Sequence, residues 1–493
     1  MDLGVGGSGK KAVGSLGPIV ASGIKWSVAS QGVRQGMQFV TTAVLARLLS
    51  PSDYGLISMA MVVIEFQYLV RDLGTAKAVI RQRNLSEELL SSIFWVNVVF
   101  GFIAMLVIIA GAPLVATFYG EARLTPILEV LSLTFLISGI SILQQAILER
   151  DLAFSRLAKL ETIAIASSSA VGIGSALLGA GVWSLVSQAL AWAVVTMVLL
   201  WMSSRWRPRF IFHWSEVKTV SNYSLNLTGV NILSYFSRNA DYLLIGRFLG
   251  AQELGYYTLA YRLMLYPLQN ISWIANRVTF PAYSQLQSDN ARFRRAYLKV
   301  AANIALITFP LMLGIMALSE PFVLAVFGSK WMPMAILLVI LAPVGLYQSI
   351  STSADDIYMA KGRTDWQLRW TITSGLLFVL SFMIGLQWGV VGVAAAYAIA
   401  NLILAYPTFS IPFRLIDLRV RDLGLALWRP LLSSLLMMIA VFSLRTVLLL
   451  LDIANSLTLV VLITTGIIVY LTASWMLNRA QVREILDIVG IKI

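Results

Sequence analysis

Ala46-Arg47-Leu48-Leu49-Ser50-Pro51-Ser52-Asp53-Tyr54-Gly55-Leu56-Ile57-Ser58-Met59-Ala60 aligns without gaps on Gly246-Arg247-Phe248-Leu249-Gly250-Ala251-Gln252-Glu253-Leu254-Gly255-Tyr256-Tyr257-Thr258-Leu259-Ala260, two hundred residues further on. Arginine, leucine, glycine and alanine recur at the same offsets, and an acid stands at Asp53 and at Glu253. Each copy joins two long apolar stretches. A helical hairpin repeated in this way predicts a membrane protein built from two related lobes, a common plan among transporters.

The composition around the repeat agrees. Of 493 residues, 58% are hydrophobic and 12% charged, against roughly 25% charge in soluble domains. The chain reads as an all-α polytopic membrane protein. It has no cysteine and a single histidine, His213, which excludes disulfides, thiolate metal sites and a histidine-rich metal centre. No cofactor is expected. A net charge of +13 would suggest nucleic acid in a soluble protein. Here it reports topology instead, and no nucleic-acid partner is expected.

A spanning helix needs ~20 mostly apolar residues. Fourteen stretches qualify, approximately 24–48, 55–72, 91–117, 125–148, 158–179, 182–202, 222–249, 255–276, 297–320, 333–357, 367–387, 390–412, 427–447 and 454–477. They predict a flexible cytoplasmic tail (1–20), a six-helix N-lobe (21–210), a six-helix C-lobe (211–415), two further helices (416–480) and a cytoplasmic C-terminal tail (481–493). The repeat offset of six spans gives the two lobes the same orientation. A weaker echo pairs Gly181-Val182-Trp183 with Gly389-Val390-Val391 at the start of helices 6 and 12. Helices 13 and 14 have no counterpart and read as an appendage.

The basic residues test this map. With the N-terminus in the cytoplasm, 29 of the 37 lysines and arginines fall on the cytoplasmic side. Five (Arg47, Arg123, Arg247, Lys330 and Arg445) fall opposite, and three (Arg34, Arg238 and Arg262) lie within spans. The positive-inside bias supports both the span count and the orientation.

Helix 1 carries Ser27, Gln31, Arg34, Gln38 and Thr41 at steps of four, three, four and three, so all lie on one face. The same face of helix 7 carries Asn231, Ser234, Arg238 and Asp241. Glu65 on helix 2 and Arg262 on helix 8 complete a set of five intramembrane charges on the repeated hairpins. A charge at the bilayer centre costs roughly 2.5–3.5 kcal/mol, so five facing lipid would cost on the order of 12–17 kcal/mol. They are expected to face one another or water in a polar cavity between the lobes. Gln31, Arg34, Gln38, Asn231, Ser234, Arg238 and Arg262 are then candidate substrate-binding residues. Glu65 and Asp241 are candidates for coupling a proton or Na⁺. A packing role is the alternative for each charge: Arg238 and Asp241 are three apart, Glu65 is within range of Arg71 or Arg34, and Arg262 can snorkel. The arginine excess favours an anionic cargo such as a diphosphate. Asp355-Asp356 reads as a structural charge cluster near the cytoplasmic surface.

The run Ala46 to Gly55 resembles the first hairpin of the polysaccharide transporters. Asp72-Leu73-Gly74, Phe94-Trp95-Val96-Asn97, Leu148-Glu149-Arg150-Asp151-Leu152-Ala153-Phe154, Ile245-Gly246-Arg247-Phe248-Leu249-Gly250 and Leu254-Gly255-Tyr256-Tyr257 are similar to later segments of that family. It belongs to the multidrug/oligosaccharidyl-lipid/polysaccharide exporter (MOP) superfamily, with Wzx-type flippases as the nearest resemblance. The resemblance covers roughly residues 20–420. It implies a MATE-like pair of six-helix lobes and no enzymatic activity. It also implies an undecaprenyl-diphosphate-linked oligosaccharide moved to the periplasmic leaflet of the bacterial inner membrane. Membrane lipids and a polysaccharide polymerase are the other implied partners. Among the functionally important intramembrane arginines of the family, Arg34, Arg238 and Arg262 are the positions that fit here. A cation-coupled multidrug antiporter of the same superfamily is the alternative, disfavoured by the arginines. A membrane polymerase or ligase is a further one, disfavoured by the lack of a large loop.

Overall fold

A computed structural model describes residues 31–71, 79, 86–213, 235, 238–450 and 455–483. Within them, α1 (31–48) and α2 (Pro51–Arg71) form the first copy of the repeated hairpin. The break between them is a reciprocal cap. Ser50 Oγ donates to Asp53 Oδ2 at 2.7 Å, the Ser50 N–H donates to the same oxygen at 2.9 Å, and the Asp53 N–H donates back to Ser50 Oγ at 3.2 Å. Pro51 takes the first helical position, where its missing N–H costs nothing. In the second copy α7 (240–249) and α8 (251–285) meet at Gly250, whose φ of 87° suits glycine.

The two hairpins share an environment as well as a pattern. Residues 54–60 and 254–260 are buried without exception, and 47–48 and 247–248 are exposed in both copies. Four further helices follow each hairpin. They are α3 (Glu87–Tyr119), α4 (Leu124–Arg150), α5 (Phe154–Leu177) and α6 (Trp183–Ser203), then α9 (Asn290–Val326), α10 (Pro333–Ala360), α11 (Thr364–Gly385) and α12 (Gly389–Phe413). The chain divides into two compact units, Met1–Leu233 and Ser234–Ile493.

The packing inside each unit repeats. In the first, α3 packs on α4, α5 on α6, α4 on α6 and α2 on α4; in the second, the hairpin and α9 pack on α10, α11 on α12 and α10 on α12. The turns repeat too. After α4, the N–H groups of Asp151, Leu152 and Ala153 donate to the carbonyls of Ile147, Glu149 and Leu148. After α10, Lys361, Gly362 and Arg363 make the same three bonds to Ile357, Met359 and Tyr358. Leu152 and Gly362 both adopt positive φ, 53° and 66°. Gly181 and Gly389, the weaker echo in the sequence, share positive φ as well, 55° and 68°.

Small residues set the closest helix approaches, as they do where hydrocarbon supplies no hydrophobic drive. A Cβ at Gly139 of α4 would stand 2.5 Å from the Asn97 carbonyl oxygen of α3, and one at Gly101 would stand 2.6 Å from that of Phe135.

The last two helices, α13 (Val420–Leu450) and α14 (Asn455–Leu477), are part of the second unit. Both pack along α9 through Leu313, Ala317, Met437, Val441, Leu448 and Leu462. The Tyr470 hydroxyl donates to the Leu306 carbonyl, and Arg445 pairs with Glu320. The expected appendage is therefore docked on one helix by packing, a hydrogen bond and an ion pair. The described parts of the fourteen expected spans are helical apart from the turn residues 178–179 and 182 and a bend at 239, and no strand occurs among the described residues. Nine helical segments there are long and apolar enough to cross a membrane, one of which (Thr364–Ile416) contains both α11 and α12.

Candidate functional site

In the first unit the polar face of α1 is built around Arg34. Its guanidinium pairs with Glu161 of α5 and donates to Gln31 Oε1 at 2.5 Å, one helical turn away. The Arg34 side chain is 12% exposed and that of Glu161 50%, so the pair is buried at the arginine and open at the acid. Gln38 is exposed on the same helix, and buried Thr41 turns its hydroxyl to the Met37 carbonyl. Glu65 of α2 is exposed. Glu161 was absent from the expected set. The signal for it was present, an acid inside the apolar stretch 158–179.

In the second unit Asn231 and Ser234 lie outside the described residues. Arg238 is exposed and sits close enough to Asp355 of α10 to act on its charge; Gln367 of α11 hydrogen-bonds the same carboxylate. Asp355 is itself exposed, whereas its neighbour Asp356 is buried and faces Tyr283 and Tyr297. The two adjacent acids thus differ in exposure, while the Tyr297 phenol lies within electrostatic reach of both. Arg262 of α8 is exposed. An exposed charge on a spanning helix belongs against water or headgroups, because hydrocarbon penalises it.

Asp241 is in a different setting. It is 3% exposed at the start of α7. Its Oδ1 accepts the Tyr242 N–H at 2.9 Å and its Oδ2 accepts the Tyr257 hydroxyl at 2.8 Å. Tyr257 stacks on Tyr261, with ring centroids 5.8 Å apart and planes at 15°. Tyr261 and Tyr397 of α12 share a hydroxyl contact at 3.4 Å, and Gln348 of α10 donates to the Tyr397 hydroxyl at 2.7 Å. A polar array therefore runs from α7 through α8 to α12 and α10. Buried polar groups need such partners, since an unmade bond inside costs more than a made one returns.

The acid and the phenol of this array have no counterparts at the repeat offset in the first unit. At the repeat offset Thr41 stands for Asp241 and Ile57 for Tyr257. The duplication conserved the scaffold and placed the buried acid in one copy only. Among the described residues no three acids or histidines converge as a metal site would require.

A family model described as "Polysaccharide biosynthesis protein" matches residues 44–336. The teichuronic acid biosynthesis protein TuaB of Bacillus subtilis is 29% identical over 78% of this chain and 80% of its own length. The lipopolysaccharide biosynthesis protein WzxC of Escherichia coli is 28% identical over 88% of this chain and 89% of its own. Among solved structures, the lipid II flippase MurJ in an inward closed conformation superposes with a TM-score of 0.73 at 16% identity. That match covers 93% of this chain and all of MurJ, and establishes a shared fold.

Proposed function

Because the chain belongs to the polysaccharide biosynthesis protein family, we propose that it is a flippase for oligosaccharide repeat units carried on undecaprenyl diphosphate. It moves them by alternating access from the cytoplasmic to the periplasmic leaflet of the bacterial inner membrane, with both of its own termini cytoplasmic. It acts as a carrier and makes or breaks no covalent bond. The observation that carries this reading is the set of guanidinium groups in spanning helices: Arg34 paired with Glu161, Arg238 within electrostatic reach of Asp355, and Arg262 exposed. A guanidinium fork suits a pair of phosphate oxygens, the group that such a cargo carries.

A proton or Na⁺ is the coupling ion in this reading, with Asp241 as its acceptor. One carboxylate oxygen accepts the Tyr242 N–H and the other the Tyr257 hydroxyl, so a proton or Na⁺ arriving at Asp241 would compete with these donors for the same oxygens.

The test is export in a strain lacking the gene. Lipid-linked repeat units should accumulate facing the cytoplasm, and a plasmid copy should restore surface polymer. Accumulation on the periplasmic face in the deletion strain would remove the proposal, because translocation would then proceed without the protein.

A further inference from the structure

A cavity of about 300 Å³ opens at the N-terminal end of α9, walled by Ala291, Arg294, Arg295 and Leu298 of that helix and by Leu418 and Asp422 at the start of α13. Its depth in the membrane follows from length. α9 has 37 residues, hence ~55 Å at 1.5 Å per residue, against a hydrocarbon core of about 30 Å. The first turns, Asn-Ala-Arg-Phe-Arg-Arg from residue 290, are the charged end of this helix, so they stand at headgroup level. They are on the side that carries most of the basic residues.

The walls are built. Arg294 Nη1 donates to the carbonyls of Ile416 at 3.2 Å and Asp417 at 3.4 Å, in the turn that leads into α13. Asp417 has φ 53°, and its carboxylate accepts from Asn290 Nδ2 at 2.7 Å. That ties the turn to α9. Arg295 is exposed, lines the cavity and lies within electrostatic reach of the Asp289 carboxylate that caps α9. Asp422 Oδ2 caps α13 by accepting the Arg419 N–H at 3.2 Å. Leu298 and Leu418 supply the apolar part of the lining.

We infer that this cavity is a phospholipid site selective for an aminophospholipid headgroup: Arg294 and Arg295 take the phosphate diester, Asp422 takes the ammonium, and Leu298 with Leu418 takes the glycerol and first acyl carbons. Two guanidinium groups lining one cavity suit phosphate oxygens. A carboxylate in the same cavity repels a headgroup that is only anionic and pairs with one that carries an amine. The bound lipid bridges α9 to α13, and so fastens the C-terminal pair to the second unit at the membrane surface. The inference stands apart from the identity of the transported cargo.

The test is native mass spectrometry of the delipidated full-length protein, titrated with dioleoyl phosphatidylethanolamine, phosphatidylglycerol or phosphatidylcholine. The wild type should retain the ethanolamine lipid best. Arg295→Gln, which breaks no protein hydrogen bond, should weaken that binding about ten-fold, the effect of losing one charge-assisted contact. Asp422→Asn should abolish the preference for phosphatidylethanolamine over phosphatidylglycerol. An excess of inorganic phosphate should not displace the lipid, since it lacks the apolar contacts. Arg295→Gln binding as tightly as the wild type overturns the site. An unchanged headgroup preference in Asp422→Asn overturns the role of the amine, and displacement by phosphate alone overturns the lipid as occupant. Lipid-free melting midpoints of both variants show that each remains folded.

Discussion

The hydroxyl of Tyr257 donates to Asp241 Oδ2 at 2.8 Å in the interior of the second unit, where Tyr257 is fully buried and Asp241 is 3% exposed. Removing that hydroxyl leaves a buried carboxylate one bond short. Tyr257→Phe should therefore destabilise the protein by about 1–3 kcal/mol, seen as a lower melting midpoint in detergent. Asp241→Asn should fold and fail to export if Asp241 receives the coupling ion. Normal export by a stable Asp241→Asn variant would exclude that role.

Arg34 and Glu161 are 127 residues apart in sequence and joined across α1 and α5. Arg34→Glu should reduce export, and adding Glu161→Arg should recover part of the stability lost. With Glu161 half exposed, the coupling energy from a double-mutant cycle should be modest, roughly 0.5–1 kcal/mol. If the swap restores stability but export stays absent, the guanidinium acts on cargo as well as on Glu161. Additive single-variant effects on stability would show that the pair contributes nothing.

Gly139 and Gly111 make a contrasting pair. A side chain at Gly139 meets backbone on α3, whereas nothing lies within 4 Å of the position a Cβ would take at Gly111. Gly139→Ala should cost about 1–3 kcal/mol by forcing α3 and α4 apart. Gly111→Ala should be neutral or stabilise by roughly 0.5–1 kcal/mol through helix propensity. Thermal melts of the two proteins decide this, and equal shifts would contradict the close approach.

Asp289 caps α9 by accepting the Arg292 N–H at 3.0 Å. That bond, with the neighbouring arginine charge, holds its carboxyl below the usual 3.8. A depressed value in the fold means the ionised form is preferred there. Its contribution is thus fully present above pH 3.8 and is lost as pH falls through the lower folded value. Asp289→Asn should keep the cap and flatten this part of the acid limb, while Asp289→Ala should lower stability at neutral pH as well. Melting midpoints between pH 7 and pH 3 report both effects.

Much of this architecture was legible before any coordinates. Among the described residues the apolar runs became helices because a chain in lipid must satisfy its own backbone, and a helix does so within one segment. The hairpin repeat at Ala46 and Gly246 was legible for the same local reason: glycine, proline and a capping acid act within a few residues. The intramembrane charges were also visible, since apolar surroundings single them out.

Which groups those charges meet was not written in any local pattern. Asp355 read as half of a charge cluster, and only the packed bundle adds Arg238, 117 residues earlier, to its electrostatic surroundings. Tyr257 looked like one more aromatic of the repeated hairpin until the bend at Gly250 brought α8 against Asp241. Helices 13 and 14 looked unattached until α9 received them. Helix formation and turn chemistry are settled over three or four neighbouring residues, so linear order records them. Pairing between helices depends on crossing angle, rotation and the close approach that glycines such as Gly139 allow, and these exist only once the bundle has packed.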